Sequence, residues 1–462
     1  MKKTIALLGS LTLTFHAAFA QTAVAPRVTA PAPPVATGPQ TAVTASQDDS
    51  WMRGKYGLGG MNGMRDEMFE AGVEPFLYYT SILSGNPVGG RRQGTTYVDD
   101  FYFGAHLYLD KLIGWEGAKL TVSGVNRDGL GLTDHYVGSR YDVQQTVGGQ
   151  NFFVYQVFLD QRFWDNKASL KLGRFGASDD FNGSKIYGLY LNNGINGDIR
   201  NVLFDTQFSA YPFATWAARL RIDPTPEWNA QVGVFQTWND IFDRTHNGLN
   251  WGVRGDDGVF FIGQVGWSPQ FWKQPVPNDA VAGKDGKTMT ASSELKGLPG
   301  HYWVGGSFSP WSGFTEFGTD NKRSGSYGFY VHGDQMVYQE APGSDQGLTI
   351  WAASGLYPQP SIAIVPFQVN FGLVYKGLIP GRDDDQTTFG FIYGNFSEHY
   401  ARTVKAAGNG VPEYESVLES GYRIQLTKFA FIQPDLQWII RPSGTGRIPD
   451  ALVIGAEMGI TF

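Results

Sequence analysis

The sequence predicts an all-β protein, a transmembrane antiparallel β-barrel of about sixteen strands preceded by a short helix, and three observations carry that prediction. A period-two alternation of apolar and polar side chains begins at Glu74 and persists to the last residue. Aromatic residues make up 15% of the 462 residues and charged residues only 17%, while mean hydropathy is −0.23. No run approaches the ~18 consecutive apolar residues that a spanning helix needs. A chain rich in aromatics yet not hydrophobic overall fits a barrel with an apolar outside, a polar inside and aromatic girdles at both interfaces. A soluble chain of this length would normally divide into two or more separately cored domains.

Residues 1–20 read as a cleavable signal peptide. Lys2 and Lys3 form the positive start, Ile5 to Leu13 the apolar core, and Ala18-Phe19-Ala20 a small-x-small site cut after Ala20. The apolar stretch is too short, and too interrupted by Thr and His, to make a good membrane anchor. Export places the chain in the outer membrane of a Gram-negative bacterium, and with no Cys no disulfide can hold the fold. Loss of Lys2 and Lys3 takes the formal charge from −7 to about −9, which gives a nucleic-acid partner no electrostatic support.

Residues 21–50, with Pro26, Pro31, Pro33, Pro34 and Pro39, have a composition that cannot build a packed core and read as a flexible periplasmic segment. In 51–73, Met61, Met64, Met68 and Phe69 fall near helical spacing, so a short helix ending near Gly72 is expected in the periplasm or the pore mouth.

Residues 74–462 form the expected barrel. In Phe101 to Asp110, the side chains of Phe101, Phe103, Ala105, Leu107 and Leu109 share one face, while Tyr102, His106, Tyr108 and Asp110 share the other. The alternation recurs at Lys119 to Ser123, Val154 to Asp160, Ala217 to Ile222, Gln231 to Phe235, Pro366 to Lys376, Leu418 to Thr427 and Leu436 to Ile440. Charged side chains in mid-strand are costly in a packed sandwich and comfortable in a wet lumen. From Leu452 to Phe462 every even-numbered residue is apolar, a length and pattern that suit one tilted spanning strand. Asp223-Pro224-Thr225-Pro226, Gly381 to Asp385 and Pro442-Ser443-Gly444 read as turns, and Lys273 to Gly300 as an extracellular loop.

Several segments resemble one family, the carbohydrate-selective porins of the OprB type. Gly59-Gly60 with Met64-Arg65-Asp66-Glu67 is similar to the family's Trp-Gly-Gly-Leu-Arg-Asp-Glu segment, with Leu58 in place of the Trp. Leu109 to Gly117, ending in Gly114-Trp115-Glu116-Gly117, is similar to its strand and turn, and Gly173-Arg174 with Asp179-Asp180-Phe181 to its middle. The last third carries Tyr327-Gly328-Phe329-Tyr330, Asp334-Gln335-Met336, Gly372 to Asp385 and Gln433 to Ile440. The resemblance implies a single barrel with a polar, partly charged constriction that passes monosaccharides by facilitated diffusion. Separately, a terminal strand ending on the aromatic Phe462 resembles the signal read by the barrel-assembly machinery.

A pore selects by width, lining hydrogen-bond groups and charge, and must release what it binds. By parity the lumen candidates are His106, Asp110, Lys119, Gln156, Asp160 and Lys171 in the first half of the barrel. Arg219, Arg221, Glu419, Arg423, Asp435 and Glu457 join them in the second half. Each can equally be a wall charge paired with a neighbour and remote from the constriction. Arg91 and Arg92, after Gly89-Gly90, sit in a stretch that either folds inward as a constriction loop or stays outside in solvent.

Outer-membrane lipid and small sugars are the expected partners, and no cofactor or metal is expected. Metalloprotease, nucleophile-elbow and Walker motifs are absent, and Asp383-Asp384-Asp385 lacks the spaced ligands of an EF-hand. The rival readings are a barrel-borne enzyme at the rim, a general or ion-selective porin without sugar preference, and an adhesive barrel with a closed lumen.

Overall fold

The computed structural model describes residues 54–238, 240–276 and 294–462; the expected leader and the Pro-rich segment lie outside the described residues. A 3-10 turn, Met61–Gly63, leads into helix α1, Met64–Glu70. Gly72 then takes φ 89°, and a Cβ there would stand 2.9 Å from the Lys111 Cβ, so glycine is what lets the chain turn from α1 into the first strand.

Sixteen barrel strands follow. The first eight are β1 Val73–Val88, β2 Thr95–Tyr108, β3 Ala118–Gly129, β4 Phe152–Phe163, β5 Ala168–Phe175, β6 Thr215–Ile222, β7 Trp228–Thr237 and β8 Gly258–Trp267. The rest are β9 Glu294–Ser309, β10 Ser326–Gln339, β11 Gly347–Leu356, β12 Phe367–Lys376, β13 Gln386–Asn395, β14 Tyr414–Thr427, β15 Ala430–Ile440 and β16 Ala451–Thr461. Each pairs antiparallel with its neighbours in the chain. Strand β16 returns to β1, with Tyr78 opposite Thr461 and Leu83 opposite Ala456, so the sheet closes. Closure gives every strand two partners, which a backbone surrounded by hydrocarbon requires.

Burial is inverted relative to a soluble protein. Leu220, Val232, Val265, Val304, Phe329 and Phe371 are exposed on the outer face, whereas Lys171, Arg219, Gln231, Gln264 and Gln368 are buried on the inner one. The outer face has the apolar area that lipid takes up in place of a protein core. Near the ends of β7 and β8, Trp228 and Trp267 stack at 5.7 Å, and Trp267 meets Phe271 edge-on at 5.7 Å, an aromatic girdle at that end of the wall.

The even strand count settles which end each connection occupies. Loops 130–151, 176–214 and 310–325 stand at the end reached by β1, and both described termini lie at the other. Of the Lys273 to Gly300 stretch, read as an extracellular loop, residues 277–293 lie outside the described residues. Its described part is a ribbon in which the short strand Gln270–Val276 pairs with the start of β9.

Candidate transport path

The loop 176–214 runs from β5 to β6 through the interior of the barrel. Its apolar side chains, among them Phe181, Tyr187, Tyr190, Ile199 and Phe208, are buried, and it contains helix α3, Arg200–Asp205. Polar side chains on distant strands receive it. Tyr187 Oη bonds His332 Nδ1 at 2.8 Å, and Trp351 Nε1 donates to Tyr190 Oη at 2.8 Å. The Leu191 and Asn192 N–H groups donate to Glu419, and the Asn201 N–H donates to Gln368 at 2.8 Å. The loop 130–151 folds inward beside it, its Arg140 and Tyr141 N–H groups donating to Glu415 and Gln145 Nε2 to Glu457 at 2.9 Å. Backbone N–H groups of the inserted loops thus find acceptors on the wall, and Gln368, Glu415, Glu419 and Glu457 serve as anchors for the loops.

What these loops leave accessible is the inner face of β1 to β4 toward the turn end, together with Arg221 on β6. Aromatic rings line this wall. Phe76 lies opposite Gly104, where the missing side chain leaves room for its ring, and packs 5.0 Å from Tyr102 and 4.9 Å from His106. Tyr78 stacks on Tyr102 at 6.0 Å. Beside the rings runs a row of charge across four successive strands, Lys119 opposite Asp160, Asp160 opposite Lys171, and Lys171 opposite Arg219. From the loop, Asp180 accepts from Lys171 at 2.9 Å and stands 3.6 Å from Arg219, which is itself 3.9 Å from Asp160. Burial alone would raise the Asp180 carboxyl, but Lys171 and then Arg219 outweigh it and hold its pKa below the ordinary carboxylate value. Next to this row, Gln156 accepts from Tyr102 Oη at 2.8 Å and donates to Asp179 at 2.8 Å. Partly accessible ring faces, Lys119 and Asp160 therefore stand beside a buried layer of Gln156, Lys171 and Arg219.

The other candidates sit as follows. His106 bonds Thr121 at 2.9 Å on the same wall. Arg221 is committed to Asp223 of the following turn at 2.7 Å. Arg423 donates to Gln433 at 2.7 Å and to the Gly188 carbonyl at 2.9 Å, and lies 3.4 Å from Glu457. Asp435 accepts from Gln437 at 2.9 Å and, with Glu419 and Glu457, is buried beneath the inserted loops.

One expectation needs correction. Asp110 is exposed, because β2 ends at Tyr108 and Leu109–Ile113 form helix α2, closed by Gly114 at φ 73°. Arg91 and Arg92 are exposed in the loop after β1 and donate to the carbonyls of Asp134 and His135 at 3.3 and 2.9 Å, which ties this loop to the loop 130–151.

Phe76, Tyr78 and Tyr187 were not singled out from sequence, and Asp179 and Asp180 only as part of the family resemblance. Parity extended back through β1 places Phe76 and Tyr78 inward, but a rule that sends aromatics outward hides them. Nothing periodic marks the loop residues. Among the described residues no cluster of three or more His, Asp or Glu is arranged to hold a metal.

The family model described as carbohydrate-selective porin, OprB family, matches residues 92–462. The chain is 25% identical over 448 residues to Porin B of Pseudomonas aeruginosa, covering 90% of this chain and 92% of that protein. It is equally 25% identical over 446 residues to the putative porin QuiX of Acinetobacter baylyi, covering 90% and 94% respectively. Among solved structures, Pseudomonas putida OprB at high pH superposes with a TM-score of 0.78 at 23% identity, covering 90% of this chain and all of that one.

Proposed function

The chain belongs to the carbohydrate-selective porin, OprB family, and from that premise we propose that it is a passive channel through which monosaccharides and similar small polar solutes cross the outer membrane of a Gram-negative bacterium. Family and fold point to a channel rather than an enzyme. The observation that carries the sugar reading is the accessible wall where Phe76, Tyr78 and Tyr102 stand beside the row from Lys119 to Arg219. A pyranose presents an apolar ring face and a rim of hydroxyls. Aromatic faces take the first, and opposed cations and carboxylates give the second both donors and acceptors. Contacts of this kind are weak one by one, which lets the solute leave.

The same proposal includes export by a leader cut after Ala20 and insertion by the barrel-assembly machinery through the strand ending at Phe462. Asp160, Lys171 and Arg219 take the role of a charged rim, held in place by Asp180. Liposomes containing the purified chain are expected to swell faster in glucose than in a disaccharide. Replacing both Phe76 and Tyr102 by Ala is expected to weaken glucose block of single-channel current by about threefold to tenfold, the scale of one or two lost ring contacts. Equal block in the variant and the parent would remove the aromatic wall from sugar recognition.

A further inference from the structure

We infer that Lys119 forms a carboxylate subsite in the lumen, so that the channel favours small hydroxylated monocarboxylates, the sugar acids, over neutral sugars of the same size. This deepens the proposed function and rests on it.

The inference starts from how the cations on this wall are used. Lys171 is engaged by Asp180 at 2.9 Å, and Arg219 by Asp180 and Asp160 at 3.6 and 3.9 Å. Arg221 is engaged by Asp223. Lys119 differs, because no hydrogen bond or ion pair within 4 Å joins its ammonium to any described residue. It is partly accessible, faces Asp160 and Tyr108 across β4 and β2, and lies within electrostatic reach of Asp160, Glu74, Arg162 and Lys171. A lysine on the lumenal wall that spends its charge on no neighbour has it available for what passes.

The surroundings select the charge of the ligand. Lys171 and Arg219 are offset by Asp160 and Asp180, with Asp179 alongside, whereas the Lys119 ammonium is a positive charge that no ion pair within 4 Å offsets. That suits a monoanion. A phosphate ester with two charges would meet Glu74 and Asp160 with a single spare cation to offset them. The surroundings also select the body of the ligand. Thr121 follows Lys119 on the same face, His106 lies opposite Thr121, and the Phe76 ring packs against His106 at 4.9 Å. A carboxylate held at Lys119 therefore places the adjoining hydroxylated carbons toward the His106 imidazole and the Phe76 ring.

The test uses the full chain in lipid vesicles, with labelled gluconate and glucose presented together so that one preparation yields the ratio of their uptake. The parent is expected to take up gluconate faster than glucose, and raising the salt is expected to reduce that preference by screening. In Lys119→Met the ratio is expected to fall about fivefold, the factor one modest ion pair carries, and Lys119→Arg is expected to retain most of it. The arginine variant also guards against misfolding, since it keeps the charge at the same site. An unchanged ratio in Lys119→Met, or an equal slowing of both solutes, overturns the subsite. If neither solute enters vesicles carrying the parent, the channel reading itself fails, a result distinct from glucose entry without any dependence on Lys119.

Discussion

The Asp205 carboxyl sits at the end of α3 inside the barrel and accepts the N–H groups of Ile364 and Val365 at 2.6 and 3.1 Å. Burial pushes its pKa up to about 7, although both N–H groups and Arg140 pull the other way. An undocked Asp titrates near ~3.9, so the docked loop binds the proton more tightly than the released one. The contribution of this group to docking is complete below about pH 4 and is lost as the pH rises through about 7. Asp198, pushed up to about 6 by burial against the pull of Arg200, acts in the same direction. Open-channel current noise is therefore expected to grow between about pH 4 and about pH 8, and Asp198→Asn with Asp205→Asn is expected to flatten that rise. Noise that climbs identically in the double variant would place the titration elsewhere. Parity in the sequence identified Gln156, Lys171 and Arg219 as inward-facing, because period two is a property of the strand itself. It could not supply their partners, since Asp179 and Asp180 arrive from a loop whose residues carry no period.

Strands and loops differ in how plainly they can be read. The alternation at Lys119 to Ser123, Ala217 to Ile222 and Gln231 to Phe235 falls within β3, β6 and β7, and the terminal pattern, all but Phe462, within β16. The inserted loop 176–214 has no such mark, because it is held by single hydrogen bonds to side chains far away in the chain, such as Glu419 and Gln368. Asp110 was misread for a related reason, since the apolar alternation of β2 continues into Leu109 although a helix has begun. The loop's anchors make a specific demand on the wall. Removing the Glu419 side chain leaves the Leu191 and Asn192 N–H groups without their acceptor inside the barrel, which costs about 1–3 kcal/mol of loop docking. Glu419→Ala is thus expected to loosen the loop while the barrel stays folded, giving larger unitary conductance and faster disaccharide entry. A conductance equal to that of the parent would show that the loop is held well enough by its other contacts.

At the scale of the whole molecule, one inversion organises everything else. A closed sheet has two faces and no edge, so once lipid occupies the outside, every polar side chain of period two is committed to the lumen or to the loops within it. This is why the architecture was legible from Glu74 onward, while the docking of the inserted loops was not: faces follow from parity, but a loop's docking follows from contacts that carry no period. The inversion also predicts an asymmetry that a soluble fold would not show. Phe371 lies near the middle of β12 on the outer face, 47% exposed and packed 4.8 Å from Phe391 of β13. In water an exposed Phe→Arg change is nearly neutral or favourable, because a charge gains hydration there. In hydrocarbon the same charge must be carried into a medium that cannot solvate it, at a cost of about 2–4 kcal/mol for an arginine near the bilayer midplane. Phe371→Arg is therefore expected to destabilise the barrel by that amount when folding into vesicles is titrated against urea, and to leave sugar flux through the assembled channel unchanged. A variant as stable as its parent in vesicles would mean that this face of β12 does not meet lipid.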